Sequence, residues 1–265
     1  MADRTVVVDL RAPVATVTVD RPRARNALSS QVLSELLAAC SELAGNPAVA
    51  GVVLTGAPGP AFVAGADIRE MAALDPERGA RFGALGQEVT RALERLPVPV
   101  IACVDGYALG GGCELALACD FVYATPKAVF GQPEVLLGLI PGFGGCVRLR
   151  RQVGPGRARE LIFTGRHVDA AEAQRIGLVT ELFDSREAML AGARATITAV
   201  SRNSRDAVAL AKSALNAGRG RTVDAGLELE LSAFRSAFTS PDMREGTDAF
   251  LGKREPAFGS RAVGH

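Results

Sequence analysis

Two glutamates, three adjacent glycines and a small-residue stretch upstream supply the residue types that acid/base chemistry needs. In Val104-Asp105-Gly106-Tyr107-Ala108-Leu109-Gly110-Gly111-Gly112-Cys113-Glu114-Leu115, an apolar run of strand character (98–104) leads through the glycines into a stretch of helical character (114–119). A helix start leaves backbone N–H groups without intrahelical acceptors, and the positive end of the helix dipole stands behind them, so such a turn attracts negative charge. Glu114 falls just inside the helix, and Glu134, after Pro133, supplies a second carboxylate. Upstream, Ala61-Phe62-Val63-Ala64-Gly65-Ala66-Asp67-Ile68-Arg69-Glu70-Met71 combines small residues, which let a ligand approach the backbone, with Asp67 in the position of a helix cap. Donors for an oxyanion beside two carboxylates suit acid/base chemistry on a carbonyl compound. Taken singly, the same residues also read as a tight turn, a glutamate complementing a helix dipole, a solvated glutamate and a capped loop. Their combination is what points to chemistry.

The supply of other side chains narrows that chemistry. His167 and His265 are the only histidines, so a His-dependent triad or a His-rich metal site is nearly excluded and the proton transfers fall to carboxylates. Cys40, Cys103, Cys113, Cys119 and Cys146 include no C-x-x-C pair, a pattern of reduced, buried thiols that argues against zinc and fits a cytoplasmic protein. A net charge of +1 provides no global field for nucleic acid or an anionic membrane. No apolar run reaches the length of a membrane span, and Met1-Ala2-Asp3-Arg4 lacks a signal-peptide pattern. With 265 residues, 48% of them hydrophobic and 22% charged, the chain has the material for one large soluble domain, with or without a small appendage.

The elements that must position these residues follow from periodicity. Residues 5–10 and 14–19 are β-branched runs around Arg11-Ala12-Pro13, the pattern of a hairpin. Ser29 or Ser30 caps a helix with Val32, Leu33, Leu36, Leu37, Cys40 and Leu43 on one stripe, stopped by Gly45-Asn46-Pro47. Residues 49–55 read as a buried strand, 76–95 as a helix, and 100–104 and 121–124 as further strands. Beyond Glu134, residues 135–145 form an apolar loop punctuated by Gly and Pro, followed by helices at 146–152, 157–163 and 170–175 and a strand at 179–183. Strands separated by helices make an α/β domain. Residues 204–250 read as helical throughout, with Val208, Leu215, Leu227, Leu231, Phe234 and Phe238 as apolar positions, so they form an appendage that docks on the core or on a neighbouring subunit.

At this level of detail the sequence resembles the enoyl-CoA hydratase (crotonase) family. The resemblance rests on Arg21-Pro22 with Asn26-Ala27-Leu28, on Ala64-Gly65-Ala66-Asp67-Ile68, and on the stretch from Asp105 to Leu115. It continues through Phe130-Gly131-Gln132-Pro133-Glu134, Gly138-Leu139-Ile140-Pro141-Gly142, residues 161–165 and 173–179, and Arg244-Glu245-Gly246, in order from about residue 14 to residue 258. It implies an α/β fold built as a spiral of ββα units over residues 1–200, with a C-terminal helical region, 201–265, that builds trimers or hexamers. It also implies acyl-CoA thioester substrates of the kind met in fatty-acid β-oxidation.

In this family likeness the N–H groups of Ala66 and Gly111 match the oxyanion pair, and glutamates at the positions of both Glu114 and Glu134 match the members that hydrate a double bond. Glu114 is then expected to help deprotonate a water for attack at C3 and Glu134 to deliver a proton to C2, with Gly142 near that water. The implied substrate- and CoA-binding residues are Arg23, Ala24, Ala64, Ala66, Asp67, Ile68, Gly110 and Gly111, joined by Phe250 and Lys253, which match residues offered to a neighbouring subunit's CoA. No metal or redox cofactor is implied, coenzyme A being part of the substrate. Arg25 and Phe143 depart from the commonest pattern, where an apolar and a smaller residue are usual. An isomerase of the same fold, or a hydratase of a branched or carboxylated acyl-CoA such as 3-methylglutaconyl-CoA, remains open as an alternative. RNA binding fits poorly, because residues 29–43 hold no Lys or Arg to attract phosphates.

Overall fold

A computed structural model describes residues 4–260. The β-branched runs pair as an antiparallel hairpin of β1 (Val6–Arg11) and β2 (Val14–Val19), with Val6 opposite Val19 and Arg11 opposite Val14. Ser29 caps α1 (Ser30–Ala44) by accepting a hydrogen bond from Val32 N–H. The chain then lays down strands two at a time: β3 (Gly51–Gly56) with β4 (Ala61–Val63), β5 (Val100–Val104) with β6 (Tyr107–Leu109), and β7 (Phe121–Ala124) with β8 (Val129–Gly131). The first strand of each of these pairs joins a six-stranded sheet and the second a four-stranded one. Their orders are β1-β2-β3-β5-β7-β10 and β4-β6-β8-β9, with β9 at His167–Asp169 and β10 at Glu181–Leu182. Apart from the β1–β2 and β8–β9 pairs, neighbours in both sheets run parallel. This is the spiral of ββα units that the family resemblance implies.

The helices between strands are α2 (Ile68–Met71), α3 (Pro76–Arg95), α4 (Gly111–Leu117), α5 (Gly145–Val153), α6 (Pro155–Thr164) and α7 (Ala170–Arg175). Central parallel strands are covered on both faces, which is why β3 and β5 are buried at every position. Alternation sorts their side chains. Val52, Leu54, Val100, Ala102 and Val104 enter the main core with α1 and α3, whereas Val53, Ile101 and Cys103 face α8 (Arg186–Val200). α8 answers with Met189, Ala193 and Ile197, one turn apart on a single stripe.

Several boundaries differ from the sequence-based expectation. The helix after the glycines begins at Gly111, three residues before the expected start, because glycine at the first turns leaves no apolar signal. The strand expected at 179–183 is reduced to Glu181–Leu182, and residues 133–137 of the apolar stretch form a 3-10 helix. β4, β6, β8 and β9 were not foreseen, since three residues are too few to display alternation. The C-terminal stretch is three helices, α9 (Arg205–Ala217), α10 (Val223–Ala237) and α11 (Pro241–Leu251), capped by Ser204, Thr222 and Ser240. Leu215, Leu227, Leu231, Phe234 and Phe238 are exposed there.

One buried cation ties α9 to the core. Lys212 Nζ donates to Asp120 Oδ2 at 2.7 Å and to Val98 O at 2.9 Å. Removing one partner of a buried pair leaves the other uncompensated, a loss of about 3 kcal/mol. Lys212→Met is therefore expected to lower the unfolding free energy by that order, seen as a lower urea midpoint with an unaltered slope, and an unchanged midpoint would refute this role.

Candidate active site

The small sheet assembles the site. β4, β6 and β8 are parallel neighbours, so their C-terminal ends lie along one edge. Residues 64–67 follow β4, the glycine turn and Glu114 follow β6, and Gln132-Pro133-Glu134 follows β8. Three segments remote in sequence thus meet because three short strands stop at the same level.

Two backbone N–H groups are left bare where they meet. Leu28 pairs with the first segment by donating to Gly65 O (2.9 Å) and accepting from Asp67 N–H (2.8 Å). In an extended pairing the residue between those two turns its own N–H away from the partner, and that residue is Ala66. In the glycine turn, Gly110 N–H donates to Gly131 O at 2.9 Å, while Gly111 is the first residue of α4, where N–H groups have no intrahelical acceptor. Among the described residues neither Ala66 nor Gly111 N–H meets a protein acceptor. Both line a cleft of ≈ 760 Å³. Gly110 has φ 48° and ψ −121°, and a Cβ there would come 2.9 Å from Glu134 Oε1, so conformation and space both demand glycine.

The two carboxyl groups face the same cleft. Glu114 is 1% exposed, and its Oε1 accepts from Phe143 N–H at 2.8 Å and Gly145 N–H at 2.6 Å. Gly145 opens α5, so this carboxyl sits at a helix N-terminus. Burial pushes its pKa up to about 7, against the pull of those N–H donors. Glu134 also rises to about 7, through burial first and then through the charge of Glu114, opposed by a backbone hydrogen bond. Gln132, fully buried, donates to Glu134 Oε1 at 2.9 Å when its amide is turned so that both ends are satisfied. Two neighbouring carboxyls that titrate near neutrality can divide the work of acid and base.

The loop that supplies Glu114 with its donors is fastened to α3. Gln87 Nε2 donates to Gly142 O (3.0 Å) and Thr90 Oγ1 to Phe143 O (3.1 Å). Glu94 holds Arg148 through two hydrogen bonds of 2.9 and 2.7 Å, and Arg148 Nη1 donates to Phe143 O at 2.9 Å. Glu94 also accepts from Arg219 (2.9 Å), and Asn216 donates to its carbonyl (2.9 Å), which joins α9 and the turn after it to the same point. Burial opposes its charge, yet the Arg148 hydrogen bond and the Arg148 and Arg219 charges hold Glu94 below the usual carboxylate range. Sequence reasoning missed Gln87, Thr90, Glu94, Gln132 and Arg148. The signal that was available is the 87, 90, 94 spacing, which sets three polar side chains on one helix face.

Of the expected site residues, Ala64, Ala66, Ile68, Gly110, Gly111, Glu114, Glu134 and Gly142 line the cleft. Arg23, Ala24, Asp67, Phe250 and Lys253 do not. Asp67 has its polar groups engaged within the fold. Its N–H goes to Leu28, and its side chain caps α2 through Arg69 N–H and Glu70 N–H and pairs with Arg21 at 3.1 Å. Arg23 is exposed and Ala24 half-buried in the 3-10 turn Pro22–Ala24, which is tied to the site segment by Ala64 N–H donating to Arg25 O (3.1 Å). Phe250 is 83% exposed at the end of α11, and Lys253, also exposed, lies just beyond it. Among the described residues no group of three or more His, Cys, Asp or Glu side chains is gathered as for a metal, and no helix is long and apolar enough to cross a membrane.

Comparison with known proteins places this geometry in context. Residues 9–261 match the family model described as enoyl-CoA hydratase/isomerase. The chain is 45% identical over 250 residues to the short-chain-enoyl-CoA hydratase of Clostridium acetobutylicum, covering 94% of this chain and 95% of that one. It is 42% identical to the crotonyl-CoA hydratase of Syntrophomonas wolfei, covering 98% and 100%. The crystal structure of an enoyl-CoA hydratase from Bacillus anthracis superposes with a TM-score of 0.92 at 37% identity, covering 97% of this chain and 100% of that one.

Burial of the carboxyls gives folding a pH dependence of definite sign. A carboxyl whose pKa rises on folding holds its proton more tightly in the folded state. The stability it contributes is full below its ordinary value of 4.5 and is lost as pH rises through about 7. Glu114→Gln, which keeps an accepting oxygen, is expected to be more stable than the parent at pH 8 by on the order of 2–3 kcal/mol. The gap should close towards pH 5. Urea titrations across that range check this, and a gap independent of pH would exclude it.

Proposed function

The chain belongs to the enoyl-CoA hydratase/isomerase family, and from that premise we propose that it adds water reversibly, in the syn sense, to a 2-enoyl-CoA to give a 3-hydroxyacyl-CoA. The observation that carries this reading is the pair of bare N–H groups beside two carboxyls that titrate near neutrality in one cleft. The thioester oxygen takes hydrogen bonds from Ala66 and Gly111 N–H. As water attacks, electron density moves from the double bond onto that oxygen, and fixed donors stabilise the enolate-like state more than the ground state. Glu114 and Glu134 hold the water between them, with Gly142 beside it. Glu114 draws a proton from the water as its oxygen bonds to C3. Glu134, protonated at the start, gives its proton to C2 as the thioester carbonyl re-forms. Dehydration runs the same steps backwards.

The remaining assignments belong to the same proposal. Ala64, Ala66 and Ile68 present backbone to the adenine, and Arg23, exposed in the turn tied to Ala64, reaches a CoA phosphate. Phe250 and Lys253 serve the CoA of a neighbouring subunit, a role supported by their exposure and their separation from their own cleft. Residues 1–200 form the catalytic core. Residues 201–265 join copies into a trimer or a hexamer, for which the exposed apolar side chains of α10 are the support. Both proton carriers and both oxyanion donors come from the chain itself, so the reaction needs no cofactor beyond the CoA of its substrate. The protein works in the cytoplasm.

Glu114→Gln and Glu134→Gln are each expected to lower hydration by about 10²–10⁴-fold, read as loss of the conjugated enoyl-thioester absorbance. The double variant should be little worse than the poorer single one, because the pair acts as a unit. CoA binding should survive in all three. A Glu114→Gln enzyme that hydrates at the parental rate would rule the mechanism out, and activity surviving in only one of the singles would point to isomerisation. Sedimentation is expected to show a trimer or hexamer, and an active monomer would overturn the assignment of residues 201–265.

A further inference from the structure

On the hydration reading the acyl group extends past the two carboxyls into the cleft, whose wall carries two aromatic rings. Phe143 lines the cleft, is 4% exposed, and donates its N–H to Glu114 Oε1 at 2.8 Å, so its ring starts from a backbone fixed to the catalytic carboxyl. The ring then crosses to α3. A Cβ built on Gly86 would fall 2.1 Å from Phe143 Cδ1, which means that the ring rests on a bare stretch of helix backbone. Its other edge meets the oxyanion turn, 3.0 Å from a Cβ built on Gly111. Phe82, also in the cleft wall, stands against it with ring centroids 5.5 Å apart and planes at 55°. The ring of Phe143 is thus packed between a helix backbone, the glycine turn and a second ring.

We propose that Phe143, seated on Gly86 and braced by Phe82, is the chain-length stop of this enzyme and restricts it to short acyl groups. The inference rests on the hydration reading above. Carbons C2 and C3 lie at the carboxyls, so the carbons after them run into the ring. A four-carbon enoyl group ends before it, and a long one has to displace it. Displacement means driving an aromatic side chain out of a packed seat, and methylenes that the ring keeps out of the cleft gain no burial to offset it.

The experiment sets four- and twelve-carbon enoyl-CoA in competition in one reaction, so that the fraction of active enzyme cancels. The parent should favour the four-carbon substrate by at least tenfold in kcat/KM. Phe143→Ala keeps the backbone N–H on Glu114 and should raise the twelve-to-four ratio by at least tenfold; Phe143→Leu is read in the same way if the Ala variant does not fold. Gly86→Ala pushes the ring into the cleft and should depress six-carbon relative to four-carbon turnover. An unchanged ratio in an active Phe143 variant overturns the proposal, as does a parent enzyme that prefers twelve carbons. Dissociation constants for butanoyl-CoA and dodecanoyl-CoA give the same ordering without turnover. A parent that binds by chain length but hydrates nothing therefore defeats the hydration reading while leaving the chain-length stop supported.

Discussion

A carboxyl group taken almost completely out of water is the constraint to which the remaining structure answers. Glu114 is tolerable in that position because Phe143 and Gly145 give it two N–H groups at the opening of α5. Those donors can be in place only if residues 142–145 hold one conformation, and α3 imposes it through Gln87, Thr90 and the Glu94–Arg148 pair. The donors soften the desolvation without cancelling it, so the proton is held loosely enough to move near neutral pH. Full solvation would leave an ordinary acid. Burial without donors would leave a permanently neutral one.

Glu94 extends this dependence to the end of the chain. It binds Arg148 on the catalytic side and Arg219, with Asn216, on the side of α9. A helix region that contributes no residue to the cleft wall therefore shares a carboxylate with the loop that orients Glu114. Lys212 adds a second tie from α9, to Asp120 at the start of β7. The C-terminal helices are thus coupled to the site by charge, and their large apolar side chains are left facing outward.

The candidate site was legible in the sequence because its parts are rare local choices: three glycines before a helix, small residues before Asp67, and carboxylates in a chain with only two histidines. α1, α3, α7 and the hairpin were legible because they are long or carry clear caps and periodicity. The small sheet was hidden, although it is the element that brings the site together, because strands of three residues display no alternation. Gln87, Thr90 and Glu94 were hidden for a different reason. Polar residues on an amphipathic helix ordinarily face water, and only the path of a loop more than fifty residues further along the chain gives these their partners. Asp67 shows the converse: a residue in the right stretch whose side chain is occupied by its cap and by Arg21.

Because each part of the site hangs from the end of its own short strand, the parts are separable units. The segment after β4 and the glycine turn after β6 bring bare backbone N–H groups to the cleft, whereas the segment after β8 brings the Glu134 side chain. Exchanging Glu134 for another side chain would leave those N–H groups where they stand, because they hang from strands that Glu134 does not terminate. Such a scaffold can vary a single position at one strand terminus while the donors on the neighbouring strands stay in place.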